Sequence, residues 1–112
     1  MRKIGLYVLL GFLAVLLASL GLLRHNRGHG PHSVTLTWHA PRTKPGVRLV
    51  GYNVYRRTSE ETTYVRLAER VTGTSYEDPL VTSGRNYVYV VTSVDDRGHE
   101  SRFSVAATAA IP

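Results

Sequence analysis

The stretch "NYVYVVTSVDDRGHES", Asn86 to Ser101, decides the fold. Its first ten residues alternate, with Tyr87, Tyr89 and Val91 on one side and Val88 and Val90 on the other. Alternation of this kind is a β-strand's period of two, and β-branched and aromatic residues suit a pleated, buried surface. Asp95-Asp96-Arg97-Gly98 then turns the chain, with Gly98 suited to positive φ. It is the longest strand the sequence offers.

Working outward, the same period recurs. "SVTLTWH" places Val34, Leu36 and Trp38 on one face and Thr35, Thr37 and His39 on the other. "APRTKPG" breaks the chain, and "VRLVGYNVYRR" resumes it with Val50, Tyr52 and Val54 inward. "TYVRLAE" reads as a short strand with mixed faces, "TGTSYEDP" as a brief one stopped by Asp78-Pro79, and "SRFSVAATAAI" as the last. Six short strands with no helical period imply an antiparallel all-β sandwich. The inward set Trp38, Tyr52, Val54, Tyr87, Tyr89 and Val91 forms its core.

A Trp ending one strand, then "GYNVYR", then a turn glycine before "NYVYVVTSVDDRGHES", resembles the fibronectin type III domain, an immunoglobulin-like sandwich. The bacterial form on secreted and envelope proteins looks closest. The resemblance covers residues 33–112. It implies that Trp38 is the central aromatic. It also implies that Tyr87 is the tyrosine-corner residue, bonded through its hydroxyl to backbone a few residues upstream, with Val81 beneath it.

Left of this domain, Ile4 to Leu23 is a run of twenty residues without a charge. As a helix it spans about 30 Å, the thickness of a hydrocarbon core. The expectation is one N-terminal hydrophobic helix over residues 1–23, an uncleaved anchor or a signal peptide, then a linker over 24–32. Arg2 and Lys3 keep the N-terminus in the cytoplasm, so the domain lies outside the cytoplasm at a cell membrane. Cleavage would leave it secreted or periplasmic. His25, His29 and His32 have metal-like spacing, but Gly28, Gly30 and Pro31 disfavour a helix there, and no metal site is expected.

Sandwiches of this family have seven strands, and the first competes with the anchor for the same residues. It is therefore expected to be short or missing. That exposes the edge formed by residues 34–39, including Val34, Thr35 and Thr37, to strand addition by a partner or a second copy.

The chain has 112 residues, no cysteine and a net charge of +6. From Pro31 onward ten Arg and Lys face eight Asp and Glu, a net of only +2, which argues against nucleic acid as partner. No catalytic, cofactor-binding or metal motif occurs, and adjacent pairs such as Asp95-Asp96 point apart. Tyr55, Arg57 and Val88 alternate with inward residues and should form an outward patch suited to a protein or polysaccharide. The leading expectation is a non-enzymatic, membrane-anchored interaction or spacer module without cofactors. The alternative is a secreted carbohydrate-binding accessory domain.

Overall fold

The computed structural model describes residues 32–112 and the backbone of Leu17 and Ala18. Seven strands follow one another: β1 (Leu17–Ala18), β2 (His32–Thr37), β3 (Leu49–Thr58), β4 (Val65–Val71), β5 (Ser75–Val81), β6 (Asn86–Asp95) and β7 (Ala107–Ala110). They form a three-stranded sheet in the order β1-β2-β5 and a four-stranded sheet in the order β4-β3-β6-β7. Every pairing is antiparallel. Among the described residues no helix is long and apolar enough to cross a membrane.

β1 corrects one expectation. Leu17 and Ala18 belong to the run read as helix, yet they pair with Thr35 and Val34. The rest of the expected membrane helix lies outside the described residues, as does nearly all of the linker. A two-residue first strand fits the expectation of a short one. It also means that the chain itself supplies ladder partners at Val34 and Thr35, where an edge open to strand addition was expected.

The core lies between the sheets. Val34, Leu36, Trp38, Tyr52, Val54, Val81, Tyr87, Tyr89 and Val91 are all buried in one cluster, with Ala109 and Ile111 closing its end. Trp38 sits edge-on to Tyr52, with ring centroids 5.3 Å apart and planes at 68°. Tyr87 forms the corner: its hydroxyl oxygen accepts the Thr82 N–H at 2.9 Å.

Three local features depart from simple alternation. Leu49 packs against the core where Val50 was expected, because the register of β3 against β6 shifts between Leu49 and Gly51. β5 continues through Asp78-Pro79 rather than stopping there. β5 is an edge strand, and its pairing with β2 is irregular between His32 and Val34, opposite the segment that holds Pro79. A residue with no N–H to donate is tolerated there. The last strand is also shorter than expected. Residues 101–106 are not a strand, but Ser101 and Ser104 still tie them to β6. Their hydroxyls accept the Ser93 and Val91 N–H groups at 2.9 and 3.0 Å, and their own N–H groups donate back to the same two residues' carbonyls.

The β3–β4 pairing carries a bulge. Tyr52 pairs with Val71 and Val54 with Ala68, so β4 holds an extra residue there. Arg70 takes it up with φ 55°, and its N–H donates to the Asn53 side-chain oxygen at 3.0 Å. Gly51 lies directly against this bulge. A Cβ at Gly51 would stand 2.8 Å from the Arg70 Cα. Gly51→Ala is therefore expected to lose about 1–3 kcal/mol, the usual range for overpacking, and chemical denaturation measures it.

Candidate functional site

The outward face of the four-stranded sheet gathers a set of polar and aromatic side chains outside the core. β3 alternates there through Asn53, Tyr55 and Arg57, while Tyr52, Val54 and Arg56 turn inward. β6 directs Val88, Val90 and Thr92 to the same side, all three buried. After the turn at Asp95–Gly98 the chain runs back alongside β6, bringing the Glu100 and Phe103 side chains to Tyr55. The turn is tight: Gly98 has φ 84°, and one Asp95 carboxylate oxygen accepts the Arg97 and His99 N–H groups at 2.9 and 2.8 Å.

Glu100 is the hub of the face. Its Oε2 accepts from the Tyr55 hydroxyl, from Asn53 Nδ2 at 3.0 Å and from Thr92 Oγ1 at 2.7 Å. Partial burial disfavours its charge, but the three donors outweigh that and hold its carboxyl below the usual range. Glu100 is therefore an ionised acceptor at neutral pH, fixed in place by donors on two strands, β3 and β6.

Aromatic rings extend the face. Phe103 packs edge-on between Tyr55 and Tyr64, with both centroid separations 5.1 Å. The Arg57 guanidinium lies 5.1 Å from the Tyr64 ring centroid. Arg57 also donates to the Thr58 and Glu61 carbonyls, which ties it to the β3–β4 turn. Between the rings and the hub lies an open recess of about 480 Å³, lined by Tyr55, Thr92, Glu100, Ser101, Arg102 and Phe103. A second recess of about 200 Å³ adjoins it through Glu100 and includes Asn53, Arg66, Glu69 and Arg70.

The residues expected to form an interaction surface separate in space. Tyr55 and Arg57 belong to this face and are half-buried. Val88 does not contribute: it is 6% exposed, because alternation assigns a side of the sheet and not whether that side is open. Val34, Thr35 and Thr37 lie on the other sheet. Val34 is fully buried, Thr35 is half-buried and only Thr37 is exposed. Phe103, Tyr64 and Glu100 were not expected here. They lie in turns or irregular stretches, where no period reports a direction. Glu100 carried one signal, an acidic residue just past a strand whose outward positions are Thr92 and Val94.

A second polar group lies inside. Asp78 is 1% exposed, and its Oδ2 accepts from Arg56 Nη1 at 2.9 Å and from the Tyr89 hydroxyl at 2.7 Å. Oδ1 accepts the Leu80 N–H at 3.1 Å. Burial, then the bond to Asp78, pushes the Tyr89 phenol far up. Burial alone would lower the Arg56 guanidinium, but Asp78 reverses this and raises it. Arg56 also stacks over Tyr87 at 5.0 Å. This cluster joins the two sheets and is structural. Among the described residues no group of three or more His, Asp or Glu could hold a metal ion.

No family model matches the chain. An amylopullulanase of Thermoanaerobacterium saccharolyticum is 46% identical over 59 residues, which is 53% of this chain and 5% of that protein. The chain therefore spans a small part of the curated relatives it matches. A β-1,2-glucanase of Parabacteroides distasonis is 28% identical, with a TM-score of 0.56, over 70% of this chain and 11% of that one. The crystal structure of an Fn3-like protein from Clostridium thermocellum is 34% identical with a TM-score of 0.62, and the match covers 88% of both chains. With the seven-stranded sandwich and the corner at Tyr87 already in place, that agreement over nearly the whole of both chains shows that this chain belongs to the fibronectin type III-like family.

Proposed function

We propose that the chain is a non-catalytic, carbohydrate-associated accessory domain. The observation that carries this reading is the 46% identity to a segment of an amylopullulanase, a protein named for pullulan. A similar module occupies 11% of a protein named for β-1,2-glucan. Two enzymes with different named substrates share the module, which suits a part that assists polysaccharide handling and leaves bond cleavage to other parts. The carboxylates with defined partners agree. Asp78 is sealed between the sheets, Asp95 holds a turn, and Glu100 is committed to three donors. Glu69 shares the smaller recess with Glu100, but it is paired with Arg66 at 2.9 Å, and neither carboxylate is set up as the free acid or nucleophile that glycoside hydrolysis uses.

Affinity electrophoresis of the full chain tests the reading. Migration is expected to slow in gels containing pullulan or soluble starch, with no sugar released on incubation. Unchanged migration in every polysaccharide gel would end it. An anchor over residues 4–23 competes with the pairing of Leu17 and Ala18 to β2, and the N-terminal residue of the mature protein separates anchoring from release after cleavage.

A further inference from the structure

We infer that the recess between Phe103 and Glu100 is the subsite that contacts the glycan, and that it takes a neutral glucan chain lying across Glu100. This rests on the accessory-domain reading and assigns it to named side chains. Phe103 is 44% exposed even though Tyr55 and Tyr64 flank its ring. The flanking rings fix its orientation and leave much of its apolar surface in water. A pyranose ring is amphipathic: it has a C–H face that suits an aromatic surface and a rim of hydroxyls that need acceptors and donors. Phe103 offers the first, and the Glu100 carboxylate beside it offers an acceptor.

Preorganisation strengthens the assignment. Glu100 cannot swing away without breaking bonds to Tyr55, Asn53 and Thr92. A ligand hydroxyl thus meets a carboxylate whose side-chain entropy is already lost.

The charges around the recess select the ligand class. A cationic ligand would suit Glu100, but Arg102 lines the same recess, and in the adjoining one Arg70 stands beside an Arg66–Glu69 pair, so the two signs are mixed. An anionic ligand would suit those arginines, but it would meet Glu100. A neutral, hydroxyl-rich ligand is repelled by neither. The larger recess, about 480 Å³, is shallow and open, which suits one side of an extended chain rather than an enclosed small molecule. Because the smaller one also borders Glu100, the bound chain can continue from one to the other.

Calorimetric titration of the full chain with pullulan and with a linear malto-oligosaccharide tests the site. Phe103→Ala removes the apolar surface. Glu100→Gln keeps the shape and removes the charge. Leu80→Ala is the control, since Leu80 is 73% exposed on the other sheet. Loss of one charged hydrogen bond or one ring contact should raise Kd about tenfold. The expected result is such a rise for Phe103→Ala and Glu100→Gln, with thermal unfolding close to the parent's and Leu80→Ala unchanged. If Phe103→Ala does not fold, Glu100→Gln decides. Pullulan binding by the parent with equal binding by the folded recess variants overturns the subsite and leaves the accessory-domain reading intact. No binding by the parent to any glucan overturns both.

Discussion

Replacing Asp78 by Ala is expected to cost about 3–5 kcal/mol, the range for breaking a buried ion pair by removing one partner. Asp78 is 1% exposed and satisfies three donors: Arg56 and Tyr89 from the opposite sheet, and Leu80 from its own strand. Its removal leaves the buried Tyr89 hydroxyl without its acceptor and the Arg56 guanidinium without its counter-charge. The Arg56 side chain is 23% exposed, so part of its charge can recover water. Arg56→Met is the harsher test, because it strands the carboxylate in the position that has almost no water. Asp78→Asn is no rescue. Its Nδ2 group would oppose the Arg56 donor, and flipping the amide would instead lose the Leu80 N–H. The expected order of stability is parent, then Asp78→Asn and Asp78→Ala, then Arg56→Met, read from urea midpoints by circular dichroism. A midpoint shift below that of a surface substitution for all three would show that the cluster contributes nothing net.

Asp78 also shows where reading residues in order reaches its limit. The run "TGTSYEDP" looks like a strand halted by Asp-Pro, and for a central strand that would be right. The halt does not happen because β5 is an edge and its bulge absorbs Pro79, both properties of the assembled sheet. Alternation along "GYNVYRR" does assign Arg56 to the inward face with Tyr52 and Val54. A charge on that face calls for a carboxylate from the other sheet, so the partner was legible in kind though not in identity. The core was more legible, because Trp38, Tyr87 and Tyr89 are large side chains at strict alternate positions. The outer recess was less so. Tyr55 and Arg57 could be placed on its face by period, but Phe103 and Glu100 come from a segment that runs back alongside β6 without regular strand geometry. Val88 fails for a related reason: it faces outward on the long central strand, and its neighbours cover it.

Trp38→Ala is expected to cost about 3–5 kcal/mol, comparable to the loss of the ion pair and by a different route. Trp38 is 3% exposed and follows directly after β2, its N–H donated to the Thr74 carbonyl at 3.0 Å. Its ring crosses from the three-stranded sheet to Tyr52 on β3, so one side chain fills the gap between the layers at that end. Truncation would remove the transfer free energy of an indole and leave a cavity. The walls cannot close on it easily, because Tyr52 sits on β3, which is paired on both sides by β4 and β6. Trp38→Phe keeps an aromatic partner for Tyr52 and should lose clearly less. Trp38 is the only tryptophan, so unfolding of both variants must be followed by circular dichroism rather than indole fluorescence. A denaturant midpoint lowered without change in the m-value is the expected signature. The folded fraction of Trp38→Ala should still bind pullulan with the parent's Kd, because the recess lies on the outer face of the other sheet. Phe103→Ala should do the opposite, with stability kept and Kd raised. A Trp38→Ala protein as stable as the parent would mean that the indole does not bridge the two layers.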